Sequence, residues 1–302
     1  MIKLNNYLRV TKVKKIIPHS LGTHGEVFHA DEITACALLV LYGLVDKTKI
    51  FRTRDTAVLE RCEFVCDVGG IYDPAVKRFD HHQVSYQGNL SSAGMILLYL
   101  KERNIISADL YDYYNDSLVI GVDAHDNGLV KLQIGFCSFS QVVSNFLPLH
   151  RESDPELMDQ CFYEALDFVL GHLSRLKERF AEELHARTVI GKLMGQSDKY
   201  IVCDESLSWV EAFFAMGGEQ HPALYIVMPS GKHWKLRAIP PTLDDRMNVR
   251  RPLPVKWAGL RDEALEKASG VPGAIFCHKG LFISIWETRE AALRALKVAL
   301  EE

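Results

Sequence analysis

In the N-terminal half of this chain, apolar runs repeatedly end on small clusters of histidine and aspartate. Four clusters stand out: His24-x4-His29-x-Asp31, then Asp67, then Asp80-His81-His82, then Asp123 with Asp126. A carboxylate closing an apolar element is costly to bury alone, so the fold must bring partners to it. The surrounding rhythm says how. Residues 14–20, 49–53 and 63–68 read as strands, residues 32–44 as a helix, and 56–61 as a helical turn. Strands and helices alternating at this length predict an α/β fold with a doubly wound, mostly parallel sheet. Ligands in such sheets lie beyond the carboxyl ends of the strands, where His24, Asp31 and Asp67 fall.

Further along, Ser91-Ser92-Ala93-Gly94 opens an apolar helix, with either serine able to cap it. Leu110, Tyr111, Tyr114, Leu118 and Val122 keep helical spacing up to the fourth cluster, and Gly128 stops that element. After Pro155 a long amphipathic stretch holds one face to about residue 187. It drifts from a strict heptad, which favours a helix joining two lobes over a coiled coil. From residue 200 strand-like segments at 200–203, 223–228, 234–239, 274–277 and 281–285 alternate with helical ones at 208–216 and 288–300. Short connections predict antiparallel pairing in this second, smaller α/β domain. The expected organisation is an N-terminal extension (1–15), a metal-binding catalytic domain (16–150), a connecting helix (151–195) and a substrate-binding domain (196–302).

Composition narrows the function. A net charge of −4 supplies no overall basic field and argues against a nucleic-acid-coating protein. The seven cysteines are scattered without a C-x-x-C pair, so buried free thiols in a reducing, cytoplasmic setting are expected. Lys3, Arg9, Lys12, Lys14 and Lys15 make the N-terminus basic, without the apolar core of a secretory signal. No apolar run approaches the ~20 residues of a membrane span.

Singly, each cluster has a plain structural explanation. A lone histidine is usually hydrogen-bonded, Asp67 could bond the Gly69 or Gly70 amide, and Asp123 and Asp126 could serve a helix-ending turn. Together they supply mixed nitrogen and oxygen donors, too many for one structural zinc and wrong for calcium. Two catalytic Mn²⁺, Fe²⁺ or Zn²⁺ ions sharing a carboxylate suit such a set. His81 and His82 project differently, so one reads as a ligand and the other as a donor to a substrate oxyanion. Nucleophile-elbow, zincin, Walker A and dinucleotide-binding patterns are absent from the sequence.

These four clusters resemble the motifs of the DHH phosphoesterase superfamily. More closely, Thr23-His-Gly-Glu-Val-Phe-His-Ala-Asp-Glu32, Arg52-Thr-Arg-Asp55, Val65-Cys-Asp-Val-Gly-Gly-Ile-Tyr-Asp73 and Asp80-His-His-Gln83 are similar to the melanocyte-proliferating-gene family, also labelled metal-dependent protein hydrolase. The similarity continues through Asp123-Ala-His-Asp-Asn-Gly128, Pro252-Leu-Pro254 with Trp257, and Ser269-Gly-Val-Pro-Gly273. The resemblance implies a two-domain DHH fold holding two divalent ions, Mn²⁺ first, with Zn²⁺, Fe²⁺ or Mg²⁺ as alternatives. It assigns His24, His29 and Asp67 to one ion and Asp31, Asp67, His81 and Asp123 to the other. His82 would face the scissile phosphate, making Asp67 and His82 the catalytic pair. His29 stands where DHH enzymes usually have aspartate, which would change metal preference.

Eukaryotic members are described as 3′–5′ RNA exonucleases, so the implied substrate is RNA, a short oligonucleotide or a nucleotide. No membrane partner is implied, and a homodimer is compatible. In the second domain Lys235, Arg250, Arg251 and His278 are candidate phosphate contacts. Ser269, Gly270 and Gly273 could offer backbone amides. Hydrolysis of another bond, pyrophosphate or amide, stays open, as does a non-catalytic nucleotide- or RNA-binding regulator.

Overall fold

The apolar run expected at 14–20 forms strand β1 slightly later, at Ile17–Thr23, because Leu21, Gly22 and Thr23 are drawn into the interior. Gly22 permits this: a Cβ there would sit 2.6 Å from Leu59 and 3.2 Å from Cys62. The structure is a computed structural model that describes residues 15–131, 133–149, 154–196 and 199–302. The expected N-terminal extension lies outside the described residues except for Lys15. Two compact units make up the chain, Met1–Glu178 and Arg179–Glu302.

In the first unit β2 (Ile50–Arg52) and β3 (Cys62–Cys66) flank β1 in parallel, and a short hairpin of β4 (Tyr72–Asp73) and β5 (Arg78–Phe79) completes the sheet. The order is β2-β1-β3-β5-β4, with β5 parallel to β3. Helix α1 (Ala30–Leu41) leaves the end of β1 and is buried from Ala30 through Leu39, acidic first turn included. α2 (Thr56–Leu59) is capped by Asp55. α3 (Ser92–Glu102) packs on α1.

α4 (Ala108–Tyr114) continues through a π-helical segment at Asn115–Val119 into α5 (Ile120–Asp126). Such segments shift the helical register locally. α6 (Phe139–Ser144) opens on a Ser138/Gln141 capping box. Where a connecting helix is expected at 151–195, α7 (Pro155–Met194) runs 40 residues without interruption, and the division between the two units falls within it. Its first half buries Phe162, Leu166, Val169 and Leu173. It runs past residue 187 because Ala186 and Ile190 join the core of the second unit.

That second sheet has the order β6 (Tyr200–Val202), β7 (Tyr225–Ser230), β8 (His233–Ala238), β10 (Ile283–Trp286), β9 (Ala274–Cys277). Only β6 and β7 pair in parallel; the rest is antiparallel, as the short connections predict. One face buries Val227, Leu236, Trp257 and Trp286 beneath α9 (Asp262–Ser269) and α10 (Arg289–Glu301). On the other face, α7 and α8 (Trp209–Ala215) cover Ile201, Ile226 and Met228. All seven cysteines are free, five of them buried. No helix of the described residues is long and apolar enough to cross a membrane.

Candidate metal centre

The carboxyl ends of β1, β3 and β5 and the start of α1 converge, and so do the first three clusters. His24 follows β1 directly. Its Nδ1 donates to the Gly25 carbonyl at 2.8 Å, so Nε2 faces the interior, 3.1 Å from Glu32 and 3.2 Å from Asp67. A ring fixed through one nitrogen and free at the other is how metal-binding histidines are held. His29 caps α1, with its amide bonded to the Glu32 carboxylate at 2.8 and 2.9 Å.

Asp67 closes β3 in the left-handed region (φ 58°), an uncommon conformation for a side-chain-bearing residue. One oxygen meets His24; the other lies 3.3 Å from His81 Nε2 and 3.4 Å from His82 Nδ1. His81 Nε2 also lies 3.2 Å from Asp126 and 3.9 Å from Asp31. Three donor groups result: His24, His29, Glu32 and Asp67; Asp67, His81 and His82; Asp31, His81 and Asp126. Within each group the donor atoms lie inside 4.8 Å of one another. Asp67 and His81 each belong to two.

The electrostatics are those of a site short of positive charge. Burial, with the charges of Asp67, Glu32 and Asp126 nearby, pushes the Asp31 carboxyl well above the usual range. Burial likewise raises Asp126, the more so for the Asp67 charge and despite His81. Burial opposes charging His24, but its bonds to Asp67 and Glu32 prevail and raise it to about 10. Burial also opposes charging Asp67, yet His24 and His81 hold it well below the carboxylate range. Both oxygens of Asp31, Asp67 Oδ1 and His81 Nε2 are buried without a hydrogen-bond partner among the described residues. Converging acids and imidazoles with unpartnered buried atoms fit a divalent cation.

His82, like His29, is exposed. Asp80 bonds its Nδ1 at 2.8 Å and its amide at 3.1 Å, and accepts the Gly70 amide with the other oxygen at 2.5 Å. Two clefts of about 520 and 500 Å³ flank the centre and share His29, Asp67 and His82. Arg54 lines the first; His125 and Ser140 line the second. Arg52 is structural, bonded to Asp159 and packed 4.6 Å from the Phe162 ring.

One expected ligand sits elsewhere. Asp123 accepts from the Ser91 amide and hydroxyl at 3.1 and 2.6 Å and from the Gly94 amide at 3.1 Å, holding the start of α3. A Cβ on Gly94 would lie 2.2 Å from that carboxylate. Asp126, one helical turn on, takes the place beside His81. Glu32 is the other donor that sequence reasoning passed over. Glu32 had a signal in its spacing, three residues after His29 at the start of α1, whereas Asp126, three residues after Asp123, could not be told from it by spacing.

Several expected phosphate contacts of the second unit have other partners. Arg250 donates to the carbonyls of Pro240, His221, Ala223 and Gly218, tying loops together. Arg251 reaches the Leu300 carbonyl at 3.4 Å. Ser269 bonds back to the Leu265 carbonyl, Gly270 is the left-handed cap of α9, and the Gly273 amide donates to Glu266 at 2.6 Å. This turn follows a helix C-terminus, where the carbonyl dipoles disfavour an anion. The nest expected at 269–273 is therefore closed by the protein's own carboxylate. His278 accepts from the Gly280 amide and packs against Phe282. Trp257 is core, 5.7 Å from Trp286. Lys235 remains half-buried on β8.

The fold and centre thus define a mixed α/β protein with a buried imidazole–carboxylate site suited to divalent cations. A family model described as Uncharacterised protein family (UPF0160), MYG1_exonuc, matches residues 20–300, and the chain belongs to that family. A MYG1 protein of Chlamydia pneumoniae is 50% identical over 286 residues, 95% of this chain and 98% of its own length. The MYG1 exonuclease of Homo sapiens is 32% identical over 334 residues, 97% of this chain and 88% of its own. Among solved structures, RecJ of Thermus thermophilus in complex with Mn²⁺ aligns over 94% of this chain and 52% of its own, at 13% identity and TM-score 0.28.

Proposed function

We propose that this chain is a divalent-metal-dependent phosphohydrolase of the DHH type, a 3′–5′ exonuclease-like phosphodiesterase acting on RNA or short oligonucleotides. One observation carries the reading: buried carboxylates converge on shared imidazoles and leave atoms of Asp31, Asp67 and His81 without partners among the described residues. Relatives named MYG1 exonuclease support the choice of bond.

His24, His29, Glu32 and Asp67 would hold one ion; Asp31, Asp67, His81 and Asp126 would hold a second, with Asp67 common to both. Such ions, Mn²⁺ first, stabilise charge on a phosphoryl group and acidify water. Around them the chain's own residues have separate tasks. The Gly25 carbonyl fixes the His24 ring, and Asp80 takes Nδ1 of His82. That leaves Nε2 of His82 facing the cleft, where the protonated ring would donate to a phosphate oxygen as charge develops there. Arg54 offers a cation to the same cleft.

The test is a chain freed of metal by chelation and reloaded with Mn²⁺, Mg²⁺ or Zn²⁺. It is assayed on end-labelled RNA beside pyrophosphate and peptide substrates. Stepwise release of mononucleotides from the 3′ end is expected. Activity on pyrophosphate or peptide alone would replace the assignment, and inactivity on every phosphoester with every metal would remove it.

A further inference from the structure

The second sheet has one face whose two halves differ. Over β6 and β7 that face is roofed by α7 and α8, and Ile226 and Met228 are fully buried. Over β8, β10 and β9 the same face carries Lys235, Arg237, Ile283, Ile285 and Phe276, all only partly buried. The pairing Ile226↔Arg237 and Met228↔Lys235 shows that these side chains point the same way as the roofed ones.

The register then lines them up. Lys235 is opposite Ile285, Ile285 opposite Phe276, and Phe276 opposite Arg261 on the segment entering α9. Directly opposed residues share a face, so this is a straight row: cation, aliphatic, aromatic, cation. Three interstrand steps make it roughly 14 Å long. Arg237 lies beside Lys235 on the same strand face, opposite Ile283. Arg261 places its guanidinium 5.7 Å from the Phe276 ring centre.

Among the described residues neither Lys235 nor Arg237 forms an ion pair with a carboxylate, and Arg237 lies 5.9 Å from the Trp209 ring of α8. Burial lowers the pKa of Lys235, and the Arg237 charge lowers it further. Burial also lowers Arg237, as does Arg246; Glu211 acts the other way but is itself paired with Arg246 at 2.8 Å. A sheet face with cations at both ends of a row and an aromatic ring between them is complementary to a polyanion with exposed π-faces. A duplex, whose base faces are stacked away, could use only the charges.

We propose that this sheet face binds a single-stranded oligonucleotide, with Lys235, Arg237 and Arg261 on its phosphates and Phe276 against a base. The site extends the proposed nuclease reading, but its test uses no turnover. The full chain is titrated in EDTA into a fluorescein-labelled oligouridylate of roughly 12 nucleotides, within the range a small β-sheet domain covers, and anisotropy is read. Lys235→Ala/Arg237→Ala should weaken binding about 10-fold or more at low salt and reduce the salt slope by about 1.4, for two lost phosphate contacts. Phe276→Leu should weaken it at least about 5-fold.

Arg261→Ala, at an exposed position, is the variant least able to disturb the core, and it should also weaken binding. Undetectable binding by the parent chain overturns the proposal. So does parental affinity in folded Lys235→Ala/Arg237→Ala and Arg261→Ala proteins, as judged by unchanged melting. Equal competition by polyglutamate would replace the nucleic acid with an acidic protein partner.

Discussion

Asp31 is buried and Arg250 half-buried, and the protein treats these two ionisable groups differently. Neither oxygen of Asp31 has a hydrogen-bond partner among the described residues, and its neighbours Asp67, Glu32 and Asp126 bear the same charge. Arg250 is satisfied by four backbone carbonyls. A charge that serves structure is paired locally, because an unpaired buried charge costs several kcal/mol. Buried carboxylate oxygens without hydrogen-bond partners, among groups of their own sign, mark a place suited to an added cation. The contrast separates the chain's candidate metal centre from its scaffolding without reference to any relative.

The largest expected effect is at the hub of the first region. Asp67→Asn should lower metal-dependent phosphodiester hydrolysis by about 10³-fold or more, since it weakens both donor groups at once. Near-parental turnover would mean that the bridging role is wrong. The pair Asp126→Asn and Asp123→Asn divides the same helix by role. Asp126→Asn should weaken metal binding by calorimetry while leaving urea stability near parental. Asp123→Asn should cost about 1–3 kcal/mol in urea unfolding, because it weakens the bonds that hold α3. The reverse outcome would return Asp123 to the ligand set.

A third effect follows from the raised carboxyls. Their folded pKa lies above the ordinary value of 3.8, so their contribution to metal-free stability is present below that value and lost as pH rises. Asp67 is shifted downward, and its contribution stays intact at neutral pH. An ion held by Asp31 and Asp126 would compete with protons for them, so the gain in Tm on adding Mn²⁺ should be larger near pH 8 than near pH 5.5. A pH-independent gain would place the ion elsewhere. The smallest effect belongs to the second region: Glu266→Gln should cost about 1 kcal/mol in urea and leave metal binding untouched, as expected of a carboxylate that only closes a turn.

Much of the first region was legible because its donors sit where chain direction changes. His24, His29, Asp31, Asp67 and His81 each lie at the end of a strand or the start of a helix, and such ends meet at one edge of a parallel sheet. The parts that were not legible depend on rotation about a helix axis. Asp123 and Asp126 lie one turn apart, after a π segment whose register no apolar periodicity reveals. Only packing shows which of them reaches His81 and which reaches α3.

In the second region a glycine-rich turn looked like an anion nest, but the nest is occupied by Glu266 from the helix before it. The row Lys235–Ile285–Phe276–Arg261 was likewise invisible, because strand register joins residues far apart in sequence. The amino-acid order alone determined the α/β layering, the clustering of donors at strand ends and the antiparallel second sheet, since these follow from local period and connection length. Tertiary structure alone decided which carboxylates stay unpaired and which cations share a face. Those are properties of what each side chain meets, and that is set only when the elements pack.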